Sequence, residues 1–266
     1  KQLPEESTCS AWMPENNNND AEITYSSKAL GSFQEHATFL RTAWSVDRKY
    51  NLGTSGINPN NGTLHYNFNS GFPHSDSSPD SNGLTEGRQA LATETFKLLQ
   101  STLGINFQET SSTGDDVDFF FKDTEWYSAY CGATGYSTGV DYSYINVGYA
   151  WSDGKGGYTT SNQGDYTQQT FTHEILHGMG LYHLGNYNGT VDWDTEVVYS
   201  NDSWQSSIMS YLDQGDNASN GGATTADTAF IQTPMVSDWI ALDDIYASEG
   251  YGINNAFTSD TIYGFN

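Results

Sequence analysis

The chain has 266 residues and carries 33 acidic side chains against 9 basic ones, a formal net charge of −24. A surface of that sign repels phosphate backbones and anionic bilayers, which argues against nucleic acid or a membrane surface as partner. Mean hydropathy is −0.60 and no apolar run nears the ~18 residues a membrane helix requires, so no membrane span is expected. No basic-plus-apolar leader stands at the N-terminus, and the chain reads as a processed form.

Residues 1–30 read as a polar arm with little to bury. Residues 31–266 read as one domain. A helix is expected from Ser32 to Tyr50, with Phe33, Ala37, Leu40 and Ala43 at helical spacing, followed by a Gly/Asn/Pro-rich connector to Gly62. Leu64–Phe68 alternates apolar and polar residues as a half-buried strand does. After a Ser/Asp/Pro-rich loop, Thr85–Leu103 is a long helix with Ala92, Phe96, Leu99 and Leu103 on one face, ended by Gly104. Ile105–Phe107 and Val117–Phe121 are further strands, the second so apolar that a central position is expected. Tyr130–Tyr136 and Tyr144–Tyr149 are weaker strands, the first glycine-interrupted and expected at a sheet edge. Residues 184–233 are loop-rich. A last helix runs from a Ser237 cap to about Tyr246. Helices and strands followed by an irregular second half give an α+β class.

One stretch carries chemistry. Residues 171–183 contain His173, Glu174, His177, Gly180 and His183, the pattern HExxHxxGxxH. On a helix, residues four apart lie ~6 Å along the axis and ~40° around it, so His173 and His177 share a face. His183 would be carried ~9 Å further and ~240° around if the helix continued. Gly180 can end the helix in the left-handed conformation and let the chain return. Three imidazoles leave a fourth position on a zinc ion open, the mark of a catalytic site. Glu174 is then beside the metal and placed to act as a general base.

Downstream stands Ser207-Ile-Met-Ser-Tyr211. With the histidine motif it resembles the metzincin metallopeptidases, whose zinc motif is followed by a methionine turn. The chain is most similar to the serralysin type, through Gln169–Glu174, His183–Asn188, Ser207–Tyr211, Pro234 with Asp238, and the closing run Asp260–Asn266. The resemblance spans roughly residues 60–266. It departs from the pattern at Leu184, where a proline is expected. The resemblance implies a metzincin catalytic domain at 31–266. Its N-terminal lobe (31–183) would hold a twisted mixed sheet, helices and the active-site helix; its irregular C-terminal lobe (184–266) would end in a helix. The calcium-binding β-roll that usually follows has no counterpart among these residues.

The implied activity is hydrolysis of internal peptide bonds with broad specificity by a secreted, extracellular bacterial zinc enzyme, monomeric, acting on proteins or peptides. Glu174 would activate the zinc-bound water. Tyr211 would reach the metal and then stabilise the oxyanion together with zinc. Met209 would fill space beneath the imidazoles. The strand at Cys131–Tyr136 would take substrate as an added antiparallel strand. Calcium is a second candidate ion in acidic loops such as Asp213–Asp216, although none has the spaced ligand pattern and a solvated loop is the default. His36, His65 and His74 lack ligand spacing and read as ordinary surface or half-buried histidines. The sequons at Asn61, Asn188, Asn201 and Asn217 read as coincidental in a bacterial chain.

Cys9 and Cys131 leave alternatives open: a disulfide anchoring the arm, two free thiols, or a Cys9 thiolate closing the open zinc position. A zinc-bound but inactive binding module is the competing functional class, which the intact Glu174 argues against.

Overall fold

The computed structural model describes residues 28–43, 48–54, 59–69, 83–124, 127–135, 140–148, 164–224 and 226–257. Its five strands are β1 (Thr63–Asn67), β2 (Asn106–Glu109), β3 (Phe119–Lys122), β4 (Ala129–Ala133) and β5 (Ser143–Val147). They form one mixed sheet in the order β2-β1-β3-β5-β4. β4 alone runs antiparallel, pairing Cys131 with Ile145, and the other neighbours are parallel. β3 lies at the centre and all four of its residues are buried, as its apolar run demands when both faces are covered. The glycine-interrupted β4 lies at an edge. The α+β expectation holds.

Two helices back the sheet on the way to the site: α2 (Glu86–Leu103) and α3 (Tyr166–Gly178). Gly104 ends α2 at φ 79°, the left-handed stop its position suggests. Phe96 of α2 is the hub of an aromatic core. Its ring centroid lies 4.5 Å from Tyr66, 4.9 Å from Phe107 and 5.4 Å from Phe119. Burial of one such side chain stabilises by about 1.5–3 kcal/mol. α3 lies against α2, with the Thr95 and Thr172 hydroxyls 2.9 Å apart and the Arg88 guanidinium 5.4 Å from the Phe171 ring centroid.

α1 (Phe33–Thr42) carries a capping box in which the Glu35 carboxylate accepts from the Ser32 N–H at 2.8 Å. The expected continuation to Tyr50 does not form. Residues 48–50 are not helical, and the Lys49 carbonyl accepts from Val140 N–H at 3.0 Å. Tyr50 is buried, with its hydroxyl donating to the Asp118 carbonyl and lying 2.8 Å from the Ser143 hydroxyl, so tertiary contacts hold it outside any helix.

Among the described residues after His183 the α-helices are α4 (Gln214–Ser219) and α5 (Val236–Tyr246), followed by short 3-10 turns at Ala247–Glu249 and Ile253–Phe257. α4 replaces the solvated acidic loop expected at Asp213–Asp216. Asp213 is its cap, the carboxylate accepting from Asp216 N–H at 2.6 Å. Ser237 is not the cap of α5. Met235 occupies that position and its N–H donates to Asp238 at 2.7 Å, while Ser237 is buried against His36 of α1. Met179, just beyond α3, accepts a hydrogen bond from the Tyr246 hydroxyl at 3.0 Å, so α5 supports the end of the motif helix.

Among the described residues no helix is long and apolar enough to cross a membrane. Most of the arm, including Cys9, lies outside the described residues, as do His74, Tyr136, Tyr149 and Asp260–Asn266.

Candidate metal centre

α3 delivers the first two histidines and then stops where the geometry requires. Gly180 has φ 109°, Leu181 N–H donates to the Leu176 carbonyl and Gly180 N–H to the His177 carbonyl, each at 3.0 Å. This is the paired hydrogen bonding of a Schellman stop. A Cβ at Gly180 would also stand 2.1 Å from the Arg48 carbonyl oxygen, so glycine is required twice over. The reversal brings His183 back. One ligand nitrogen from each of His173, His177 and His183 lies within 4.8 Å of the others, and His177 Nε2 is 2.9 Å from His183 Nε2. It is the one such metal-ligand cluster among the described residues.

Each imidazole turns Nδ1 to a backbone carbonyl: His173 to Ile208 at 2.9 Å, His177 to Leu181 at 2.7 Å and His183 to Tyr187 at 2.9 Å. A carbonyl can only accept, so Nδ1 carries the proton and Nε2 presents a lone pair. Burial pushes His173 down to about 4. Burial, with the neighbouring imidazoles adding to it, pushes His177 and His183 well below the usual histidine range. The site therefore collects three neutral donors. His173 Nε2 is buried with no hydrogen-bond partner, and two lone pairs face each other across 2.9 Å. A cation resolves both, and tetrahedral zinc with ~2.0–2.1 Å bonds would separate its nitrogens by roughly 3.3 Å. The donor set fits that ion.

The other candidate residues lie around this cluster. Glu174 follows His173 on α3 and is 1 % exposed. The Tyr211 ring lies 4.3 Å from His183 and 6.2 Å from His173 between centroids, and its hydroxyl accepts from Gly189 N–H at 3.4 Å. Met209 is fully buried in the turn whose Ile208 carbonyl receives His173. Leu184, which stands where the pattern has proline, is fully buried in the core.

The chain is 34 % identical to Serralysin C of Dickeya chrysanthemi over 137 residues, covering 47 % of this chain and 25 % of that protein. It is 29 % identical to metallopeptidase AprA of Pseudomonas marginalis over 203 residues, covering 70 % and 38 %. By sequence it is related to the serralysin-type metalloproteases. A serralysin of Photorhabdus luminescens is 27 % identical over 190 residues, 68 % of this chain and 36 % of that one. The chain thus spans about a quarter to two fifths of the length of these relatives. No family model matches it.

Two buried aspartates hold the centre from behind: Asp238, which the sequence marked only as part of the serralysin resemblance, and Asp202, which it did not mark at all. Asp238 on α5 accepts from the Ser207 hydroxyl at 2.5 Å and from Ile208 N–H at 3.0 Å, which fixes the turn beneath His173. Asp202, fully buried, accepts from the Tyr187 and Ser210 hydroxyls. Burial raises both carboxyls, Asp238 to about 6 and Asp202 to about 7. A buried Asp in a loop is the one signal available in sequence, and burial is not legible there.

The other expectations divide. His36 is fully buried between α1 and α5 rather than at the surface, and His65 is half-buried beside Asp118; neither approaches the cluster. The Asn217 amide donates to the Ser200 and Asp202 carbonyls and Asn201 brackets Gly31, which leaves neither a glycosylation acceptor. Cys131 is fully buried in β4, and its pairing with Cys9 lies outside the described residues.

Proposed function

We propose that this chain is the catalytic part of a secreted zinc endopeptidase that cleaves internal peptide bonds with broad specificity. The observation that carries the reading is the convergence of three buried, Nδ1-anchored histidines beside buried Glu174, in a relative of the serralysins. His173, His177 and His183 would hold zinc, with Tyr211 as a further ligand before substrate enters. Zinc bound there would supply Lewis-acid polarisation of the scissile carbonyl and acidification of the attacking water. Glu174 takes the proton of that water and returns it to the leaving amine. Tyr211 donates its hydroxyl to the carbonyl oxygen as negative charge develops. Met209 fills the volume under the histidines.

Substrate would add to β4, which is bonded to β5 on one side only among the described strands. Main-chain pairing tolerates many sequences, which suits broad specificity. The acidic surface biases the choice toward neutral or basic peptides, weakly, because salt screens it. The enzyme would act as a monomer outside a bacterial cell, with calcium as a second ion to be sought.

Incubation with casein, with and without a chelator, tests the reading. Cleavage that stops with chelator and returns with zinc is expected; cleavage that survives chelation rules it out. Tyr211→Phe is expected to lower kcat by about 10²–10³ with little change in KM, since its hydroxyl acts when the oxyanion forms. A raised KM alone would make Tyr211 a substrate-binding residue.

A further inference from the structure

Of the three histidines His183 alone does not lie on α3, and the contacts that hold its loop decide where its nitrogen points. His183 Nδ1 donates to the Tyr187 carbonyl at 2.9 Å. The Tyr187 ring stacks at 5.7 Å from His183 and lies 4.7 Å from Tyr211, centroid to centroid. Its hydroxyl donates to Asp202, 3.0 and 3.1 Å from the two carboxylate oxygens, and receives Tyr211 N–H at 3.4 Å. Asp202 also takes the hydroxyl of Ser210, the residue before Tyr211, at 2.6 Å. Its backbone is fixed in turn: its N–H donates to the Tyr199 carbonyl and its C=O accepts from Asn217.

We propose that Asp202 is a positioning residue of the metal centre, which through Tyr187 and Ser210 sets His183 and Tyr211 in one shared geometry. This rests on the zinc-site reading above and deepens it. One carboxylate joins two loops distant in sequence, residues 183–187 and 207–211, that must each place a group within reach of the same ion. Ser210 donates to Oδ1, and the Tyr187 hydroxyl is shared between Oδ1 and Oδ2, so both oxygens are engaged as acceptors. Asparagine keeps the shape of the side chain and replaces one acceptor by a donor. Metal affinity responds to partners of this kind by about 10–100-fold when they are removed.

The test compares wild type, Asp202→Asn and Tyr187→Phe. Zinc affinity is measured against a chromophoric chelator, together with the visible spectrum of the cobalt(II)-loaded protein, the melting of the metal-free protein, and kcat and KM on a peptide substrate. The expected result is a ~10–100-fold weaker zinc affinity and altered cobalt bands in both variants, with kcat falling more than KM rises. Tyr187→Phe keeps the ring and its packing, so it carries the test if Asp202→Asn does not fold. Wild-type zinc affinity and an unchanged cobalt spectrum in the variants, with only a lower melting temperature, would overturn this proposal and leave the metal-site reading standing. A wild-type protein that takes up no zinc would overturn both.

Discussion

The sheet with its helices and the stretch after His183 are held by different forces. In the first, aromatic side chains around Phe96 and a ladder of parallel strands form a core of apolar contact. In the second, regular structure is sparse and the interior is studded with polar groups: Asp202, Ser207, Ser210, Asp213, Asn217 and Asp238 are all buried. Apolar burial is strong and non-directional, so it secures elements without fixing any one atom. Hydrogen bonds are weaker in net terms but directional. The carbonyls of Ile208 and Tyr187, which must each meet an imidazole at 2.9 Å, are both set by the polar half. Apolar contact dominates the first region, and the second supplies the carbonyls that orient His173 and His183.

Paired substitutions sharpen that division. Phe96→Ala is expected to cost about 3–5 kcal/mol in denaturant unfolding, because it empties the hub of the aromatic core. Zinc affinity of the protein that remains folded should stay near wild type. Asp238→Ala is expected to cost less, about 2–4 kcal/mol, by stranding the donors at Ser207, Ile208 and Met235. It should nevertheless weaken zinc binding by ~10-fold or more, since it frees the turn behind His173. Equal zinc affinities in the two variants would break the comparison.

Gly180→Ala tests the joint between the regions. The left-handed φ and the 2.1 Å approach to Arg48 oxygen together should cost about 1–3 kcal/mol, read as a lower denaturation midpoint. Zinc affinity should fall with it, as the chain can no longer return His183 on the same path. A variant as stable as wild type would mean the turn is not strained against Arg48.

The smallest expected effect is in pH. Burial raises the Asp238 carboxyl from 3.8 to about 6. Between those values the folded protein keeps a proton that the unfolded chain has released, so the stability from this group declines as pH rises and levels off above about 6. In metal-free protein the stability advantage of wild type over Asp238→Asn should therefore narrow from pH 4.5 to pH 6.5, by at most ~1.4 kcal/mol per unit. His173 works in the opposite sense: its fall to about 4 removes stability as pH drops below about 6.5, in both proteins alike. A pH-independent difference between them would contradict the burial of an ionisable Asp238.

Much of the sheet half was legible, and the reason is physical. The Phe119–Phe121 run declares a central strand, Gly104 a helix stop, and the spacing of His173, His177, Gly180 and His183 a common focus. These are local patterns with one geometric solution each. The failures share a cause. The first helix was expected to run on to Tyr50, which is held instead by the Asp118 carbonyl, and Ser237 looked like a cap although Asp238 claims the Met235 N–H. Asp213 looked like solvated loop because an aspartate that caps a short helix and one that faces water have the same polar sequence neighbours. Asp202 could not be read at all, and Asp238 entered only through the resemblance and without a role, since their partners are hydroxyls and amides brought together by the fold. Directional contacts between loops leave no periodicity.

Glu174→Gln is the most direct test of the metal centre's chemistry, with bound zinc and casein hydrolysis measured on the same preparation. Wild type should hold one zinc per chain and cleave casein. The variant should hold one zinc as well and cleave about 10²–10⁴-fold more slowly, because it keeps the three imidazoles and loses the base. Zinc lost together with activity would make Glu174 a ligand, and cleavage at the wild-type rate would remove it from the mechanism.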